Sequence, residues 1–310
     1  MLLYTHPACL AHDPGAGHPE CTARLEAVLN ALRSAYPQLP WREAPRATRE
    51  ALLRVHTREL VANLLDTPFE GRLRLDEDTA MSTASPEATL RAAGAGIAAV
   101  DAVIAGESRH AFCAVRPPGH HSTGALAMGF CLFNAVAVAA AHAVHAHGLQ
   151  RVVIADFDVH HGNGSQDIFA REPRVMYASS HQMPLYPNTG LASEHGMGNL
   201  ANAPLAPGAG SEAFRHAWRE QLLPRIEAFR PQLVLVSAGF DGHHLDPLAD
   251  LVLEAGDYRW ISAELAALAG RHAGGRLVSL LEGGYSLAAL RACSVAHLEG
   301  LGAKNKTVSE

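Results

Sequence analysis

Four short polar motifs in this 310-residue chain combine side chains that could do chemistry. They supply carboxylates, imidazoles and a phenol, and several glycines lie among them. Each motif directly follows a short apolar run. The motifs are RPPGHH at 116–121, DFDVHHGNG at 156–164, SAGFD at 237–241 and EGGY at 282–285.

Three residues of these motifs are candidate metal ligands. Side chains alternate between two sides of an extended segment, so Asp156, Asp158 and His160 share one side. Carboxylate oxygen and imidazole nitrogen suit zinc, and three protein ligands with an open fourth position are typical of catalytic zinc. Asp241 supplies the third ligand beside Asp158 and His160. The alternative, that these groups only cap helices, is disfavoured because unpaired buried carboxylates are costly.

Two adjacent histidines and a tyrosine can move protons at such a metal. His120 and His121 follow two prolines and a glycine, which favour a tight turn. One imidazole can accept a proton from water while the other stays cationic, and Asp156 is the carboxylate expected to orient it. Tyr285 follows two glycines, and its hydroxyl can polarise a carbonyl group. A histidine pair bonded to loop carbonyls and a core tyrosine remain the competing interpretations.

The apolar runs before the motifs indicate buried strands, and longer helical patterns alternate with them. This alternation predicts a parallel sheet with helices on both faces, which is an α/β fold. Ligands bind at the carboxyl ends of the strands in such sheets, so the four motifs are expected to converge in one crevice. The predicted strands cover residues 1–5, 110–115, 151–155, 174–178, 232–236 and 276–281, and the predicted helices cover 19–35, 86–104, 133–147, 212–229 and 257–269.

Composition narrows the class of protein. A net charge of −6 without clustered Lys and Arg argues against a direct nucleic-acid partner. The most apolar stretch is too short for a membrane span, and five scattered cysteines indicate reduced thiols in the cytoplasm. We expect one domain over 1–303, a long surface loop at 190–210 and a disordered tail at 304–310. A homo-oligomer is compatible with the sequence.

Taken in order, the four motifs resemble those of the histone deacetylase family, which includes bacterial acetylpolyamine amidohydrolases and deacetylase-like amidohydrolases. The resemblance covers nearly the whole chain and extends to HPE at 18–20, LLRVHT at 52–57, DT at 78–79 and GFCLFN at 129–134. It implies a three-layer, arginase-like α/β fold with a central, mainly parallel sheet flanked by helices. The implied reaction is zinc-dependent hydrolysis of an acyl-amine amide bond of the acetyl-lysine type, which releases acetate and a free amine.

The resemblance also implies two ions. One zinc per chain would be held by Asp158, His160 and Asp241, at the positions that match the family motif. A structural potassium ion would lie nearby, bound by Asp156, by Ser179 and by backbone oxygens of Asp158 and His160. Iron in place of zinc stays open, because Asp and His ligands admit several divalent ions.

Departures within the family pattern divide the roles of the catalytic groups. Asn163 stands where class I members carry an aspartate, as in class II members and their bacterial relatives. His121 therefore lacks a carboxylate partner, which favours His120 with Asp156 as the charged pair and His121 as the general base. Tyr285, instead of the histidine of weakly active class IIa members, indicates full hydrolytic activity as the carbonyl polariser.

A substrate channel is implied by the same resemblance. Phe130, beside Gly129, and Tyr186 would form facing aromatic walls around an aliphatic acyl-amine arm. Asp78 would be the acid at the rim that binds substrate backbone amides. Leu248 stands where polyamine-selective eukaryotic members carry a glutamate, and it favours acylated lysine in a peptide over an acetylated polyamine.

Other functions fit less well. An acetylpolyamine or other small-molecule amidohydrolase would share the same chemistry and is the main alternative. An arginase-like two-metal ureohydrolase is disfavoured, because His243 stands where its second metal needs a carboxylate. A non-catalytic module that binds acylated ligands is disfavoured because the ligands and Tyr285 are intact.

Overall fold

The structure, a computed structural model, describes residues 1–304, which form ten strands. The expected tail at 304–310 lies, apart from Lys304, outside the described residues. In chain order the strands are β1 (Leu2–Thr5), β2 (Trp41–Glu43), β3 (Arg72–Arg74), β4 (Ala80–Ser82), β5 (His110–Cys113), β6 (Val152–Asp156), β7 (Val175–Gln182), β8 (Leu200–Leu205), β9 (Leu233–Ala238) and β10 (Leu277–Leu281).

Helices alternate with these strands, and several begin at a residue that caps the first turn. The side-chain oxygens of Thr57, Asn134 and Ser286 each accept a hydrogen bond from the backbone N–H three residues on. The helices are α1 (Ala8–Ala11), α2 (Thr22–Ala35), α3 (Arg49–Leu52), α4 (Arg58–Leu65), α5 (Ser85–Ile104), α6 (Ala135–His145), α7 (Asn163–Phe169), α8 (Ser211–His216), α9 (Leu223–Phe229), α10 (Ala255–His272) and α11 (Leu287–Gly300), with a π-helical turn, Ala217–Leu222, between α8 and α9.

Eight strands form one sheet in the order β2-β1-β5-β10-β9-β6-β7-β8, and every neighbouring pair is parallel. Every residue of β6, β9 and β10 is buried, so helices cover both faces of the sheet. The α5 and α6 helices pack together as one group, and α2, α10 and α11 form another. The predicted three-layer α/β architecture is confirmed, and the sheet is parallel throughout.

The six predicted strands and five predicted helices all occur, with ends that differ by a few residues. The helix predicted over 212–229 contains the π-helical turn, where Trp218 is fully buried and donates its indole N–H to Ser180 Oγ at 2.9 Å. The α11 helix was not predicted, although Ser286 caps its start. Among residues 1–304, no helix combines the length and apolar character needed to cross a membrane.

The predicted surface loop at 190–210 is wrong in its second half, because β8 lies there as an edge strand. Leu200, Ala201 and Ala203 are buried, and the strand pairs with β7. The segment is rich in Gly, Pro and Asn, which is typical of a loop, and Pro204 lacks the N–H that a central strand needs. In an edge strand the backbone nitrogen of a residue can face away from the neighbouring strand. No N–H is needed at such a position, so proline is tolerated there.

The α5 helix packs closely against the segment that follows β2. Ala47 N donates to Leu90 O at 2.9 Å, and Arg91 donates to Ala44 O at 2.8 Å. A Cβ atom at Gly94 would collide with the carbonyl oxygen of Pro45. This helix therefore needs a residue without a side chain where it meets that segment.

We predict that Gly94→Ala lowers the free energy of unfolding by about 1–3 kcal/mol, because the added methyl group forces backbone to move. Gly270, exposed in α10, has no neighbour within 4 Å of such an atom and supplies the matched control. Gly270→Ala should raise stability by up to about 1 kcal/mol, since alanine favours the helix. Urea denaturation of both variants measures this, and equal stability of the two would contradict the packing argument.

Candidate metal centre and active site

Asp158, His160 and Asp241 meet just beyond the carboxyl ends of β6 and β9. Their candidate ligand atoms all lie within 4.8 Å of one another. His160 Nδ1 is 3.2 Å from Asp158 Oδ1 and 3.2 Å from Asp241 Oδ2, and all three residues are buried. Two carboxylates and one imidazole that face one point form a donor set that fits a divalent ion such as zinc.

Backbone groups hold the outer oxygens of these carboxylates. Gly283 N donates to Asp158 Oδ2 at 2.8 Å, and Val159 N donates to Asp241 Oδ1 at 2.9 Å. A Cβ atom at Gly239 would collide with the Asp158 carboxylate, and one at Gly283 would collide with that of Asp241. The glycines of SAGFD and EGGY therefore leave room for the ligands.

The electrostatics of the three ligands also fit a cation. Burial, followed by the neighbouring Asp158 charge, raises the pKa of Asp241 to about 7. Burial lowers the pKa of His160, but hydrogen bonds to Asp158 and Asp241 outweigh it and raise that pKa to about 10. The buried carboxylates thus require nearby positive charge. A divalent ion bound here would supply that positive charge in place of the proton on the His160 imidazole.

His120 and Asp156 form a buried ion pair beside this centre. His120 Nδ1 lies 3.0 Å from Asp156 Oδ2, and the Tyr177 hydroxyl donates to the same oxygen at 3.0 Å. Burial lowers the pKa of His120, but the charges of Asp158 and Asp156 raise it to about 10. His120 is therefore cationic at neutral pH.

His121 is in the opposite state, although its ring centroid is only 4.1 Å from that of His120. Burial, then the positive charges of His120 and His160, hold the pKa of His121 well below 6.5. Its Nδ1 lies 2.8 Å from Asn163 Oδ1. An amide oxygen accepts a hydrogen bond, so Nδ1 carries the proton and Nε2 keeps a free lone pair. His121 is a neutral base.

Tyr285 lines the same cavity as His121 and His160. Its backbone N–H donates to Asp246 Oδ2 at 2.6 Å, and the Arg24 guanidinium lies 4.8 Å from its ring centroid. Burial raises the pKa of the Tyr285 phenol well above 10, although the Arg24 charge opposes this. The phenol is therefore protonated and can donate a hydrogen bond.

A cavity of about 220 Å³ opens onto these groups. Gly129 and Phe130, both with left-handed backbone, form part of its wall. A Cβ atom at Gly129 would lie 2.6 Å from the His121 ring, so glycine is required there. Leu185 borders the cavity but was not predicted from the sequence. The lining residues are Asp78, His121, Gly129, Phe130, His160, Leu185, Tyr186, Leu248 and Tyr285.

Of the four residues expected around potassium, Asp156 ends β6, Asp158 and His160 follow it, and Ser179 lies within β7. Asp156 and Ser179 face each other in the register of these strands. Asp156 Oδ1 accepts a hydrogen bond from Asp158 N at 3.1 Å, and Ser179 Oγ lies 3.0 Å from His181 Nδ1. The turn that contains Asp158 and His160 follows directly.

Comparisons with known proteins decide the family. The histone deacetylase domain matches residues 18–301. The chain belongs to the histone deacetylase family. It is 40% identical over 309 residues to the histone deacetylase-like amidohydrolase of Pseudomonas aeruginosa, with 98% of this chain and 80% of that protein covered. It is 38% identical over 290 residues to a probable deacetylase of Archaeoglobus fulgidus, with 91% and 80% covered.

A solved structure supports the same assignment. The crystal structure of the HDA15 HD domain superimposes with a TM-score of 0.91 at 33% identity, and covers 98% of this chain and 89% of that one. The expected arginase/deacetylase-like fold is therefore confirmed. Membership of a family of deacetylases and amidohydrolases supports hydrolysis of amide bonds.

Next to this site lies a buried charge cluster that was not predicted from the sequence. Arg116 forms a bidentate pair with Glu20, at 2.5 and 2.7 Å, and Arg24 also reaches Glu20 at 2.9 Å. Glu282 Oε2 accepts hydrogen bonds from the backbone of Gly119 at 2.6 Å and of His120 at 3.2 Å. These residues lie within or near HPE, RPPGHH and EGGY, but their sequence positions did not indicate that they contact one another.

The contrast between the two histidines gives a prediction for Asn163. Asn163→Asp should raise the pKa of His121 by about one to two units, because a carboxylate favours the charged imidazole. In Asn163→Ala the pKa should stay low, since burial and His120 still act on the ring. Titration of the His121 ring by NMR in metal-loaded protein measures both values. An unchanged pKa in the aspartate variant would contradict the assigned contact.

Proposed function

We propose that residues 1–303 form one zinc-dependent deacetylase domain, which hydrolyses the amide bond of an acetyl-lysine side chain and releases acetate and a free amine. The observation that carries this proposal is that a neutral base, a metal-ligand candidate and a protonated phenol border one narrow cavity. These are His121, His160 and Tyr285. A general base, an electrophile and an oxyanion donor are what amide hydrolysis requires.

Each protein group has a role that follows from its protonation state. Asp158, His160 and Asp241 would hold the zinc, and the bound ion would supply Lewis-acid polarisation of the carbonyl and a lowered pKa for a water. His121 accepts the proton of the attacking water at Nε2 and passes it to the leaving amine. The Tyr285 hydroxyl donates a hydrogen bond to the carbonyl oxygen as negative charge develops there.

His120 has an electrostatic role in this mechanism. The charges of Asp158 and Asp156 keep it cationic, and its charge adds to burial in holding the pKa of His121 low, so the base stays neutral. The same charge stabilises the negative charge that forms on the substrate. Two adjacent histidines thereby act as one fixed cation and one proton acceptor.

A structural potassium ion is a second part of the proposal. Its ligands would be Asp156, Ser179 and the backbone oxygens of Asp158 and His160. The adjacency of Asp156 and Ser179 in the sheet supports this site, and oxygen donors are the type that such an ion prefers. A cation there would offset the negative charge of the neighbouring carboxylates.

The substrate class is inferred from the cavity wall. Phe130, Tyr186 and Leu248 give it an apolar lining that suits the methylene arm of lysine. One observation favours the second candidate, an acetylpolyamine. Asp78 borders the same cavity, and its carboxylate could bind either a peptide amide or a distant ammonium group.

We infer a cytoplasmic location from the five cysteines, which are all unpaired. The relative from Pseudomonas aeruginosa is compatible with this inference. A relative from Arabidopsis thaliana, 39% identical over 312 residues, is named histone deacetylase 14, chloroplastic, so the family is not confined to one compartment.

A substrate panel tests the proposed function. Zinc-loaded and iron-loaded enzyme would be assayed with acetyl-lysine peptides, longer acyl-lysine peptides, acetylputrescine and acetylspermidine. We expect kcat/KM to be at least about tenfold higher for the acetyl-lysine peptide, because Leu248 provides no charge for a distant ammonium. Preference for the polyamines would favour the second candidate. If the protein bound these amides but hydrolysed none of them, the proposed enzymatic function would be rejected.

Tyr285→Phe tests the mechanism. Loss of the hydroxyl should lower kcat by about 10²–10³-fold, because the developing oxyanion loses a donor, while the metal content stays unchanged. Tyr186→Phe is the matched control, since it removes a hydroxyl from the same cavity and should change kcat little. Equal kcat in the Tyr285 variant and the wild type would remove this residue from the mechanism.

A further inference from the structure

Three metal-ligating side chains converge at a second place, on the surface between α5 and α6. Asp101 lies near the end of α5, His142 lies in the last turn of α6, and His147 follows that helix. Helix α6 ends before β6 begins, whereas the active site follows the end of β6. The cluster is therefore at the opposite edge of the sheet from the cavity.

The three side chains point at one another. His142 Nε2 lies 2.7 Å from Asp101 Oδ1, and His147 Nε2 lies 2.6 Å from the same oxygen. All three candidate ligand atoms lie within 4.8 Å of one another. The side chains of Asp101, His142 and His147 are 50%, 14% and 27% exposed, so an ion could reach them from solvent.

Backbone hydrogen bonds fix the turn that carries His147. Ala146 N donates to His142 O at 2.8 Å, and Leu149 N donates to Ala143 O at 3.2 Å, which closes the turn after α6. Gly148 has a left-handed backbone, with φ at 69°, in that turn. This turn places His147 beside the last turn of α6. Its ring centroid lies 5.2 Å from that of His142.

We propose that Asp101, His142 and His147 form a second divalent metal site that takes a borderline ion such as zinc. Two imidazole nitrogens and one carboxylate oxygen are the donors that zinc binds, and water can complete the tetrahedron. Ligand atoms at zinc distances of about 2.0–2.2 Å lie about 3.3 Å apart. The present contacts widen to that spacing by small side-chain rotations.

Ion binding changes the hydrogen bonds of His142. Its Nδ1 lies 3.4 Å from Arg54 Nη1, a long contact that makes Nδ1 an acceptor when Nε2 carries the proton. Metal binding at Nε2 moves the proton to Nδ1, so Arg54 must turn away. Arg54 keeps its partner Glu50 at 3.0 Å, which also offsets the charge of the arginine near the ion.

An occupied site would join the end of α6 to α5. These helices already pack together on one face of the sheet. A metal that binds the folded state and not the unfolded state raises the unfolding temperature as its concentration rises. The site therefore has a stability readout that does not depend on catalysis.

Zinc binding to the full chain tests this site. Wild type, His147→Gln, Asp101→Asn and His145→Gln would be dialysed against the same low micromolar zinc, and bound zinc would be measured by mass spectrometry. His145 is an exposed histidine of α6 outside the cluster, which makes it the matched control. We expect His147→Gln and Asp101→Asn each to lose one zinc per chain, and His145→Gln to lose none. Added zinc should raise the unfolding temperature of the wild type more than that of the two cluster variants.

Equal zinc content in the wild type and both cluster variants would overturn the proposal, and the cluster would then be a hydrogen-bonded group only. Loss of the same amount in His145→Gln would also overturn it, because binding would then be nonspecific. The comparison is independent of the proposed function. If the active site bound no zinc, the wild type would hold one ion and the cluster variants none.

Discussion

Two carboxylates buried against one imidazole, at the carboxyl ends of neighbouring strands, set the main electrostatic constraint on this structure. Asp158 and Asp241 are fully buried, and the charge of Asp158 contributes to the raised pKa of Asp241. Buried charges of one sign must be compensated nearby, because a low-dielectric interior screens them poorly. The surroundings of this pair are organised around that requirement.

The compensation operates at several distances. Backbone N–H groups of Gly283 and Val159 bind the outer carboxylate oxygens, and the inner oxygens face His160. The cation of His120 lies next, with its Nε2 3.8 Å from Asp158 Oδ1. Burial, together with that charge, keeps His121 neutral. One arrangement thus produces both the set of candidate metal ligands and a neutral imidazole beside it.

The parallel sheet explains why residues so distant in sequence meet. Strands β5, β10, β9 and β6 are neighbours and all run in the same direction, so the segments that follow them share one edge. Below that edge, Arg24 and Arg116 bind Glu20, and Arg24 also donates to the Glu282 carbonyl at 2.6 Å. These contacts link the start of the chain to the EGGY turn, so the buried ion pairs also hold the site together.

The sequence by itself determined the residue types, the motifs and the alternation of strands and helices, because hydrophobic period and glycine placement are local properties. Asp158, His160 and Asp241 were identified as a set, and the parallel sheet followed from the buried runs. Tertiary structure alone decided that Pro204 lies in an edge strand and that Leu185 borders the cavity. It also decided that the Glu282 carboxylate accepts hydrogen bonds from the backbone N–H groups of Gly119 and His120. Asn163 already predicts His120 as the charged histidine and His121 as the base, but the tertiary structure sets the pKa of each, since that value depends on burial and on charges from distant segments.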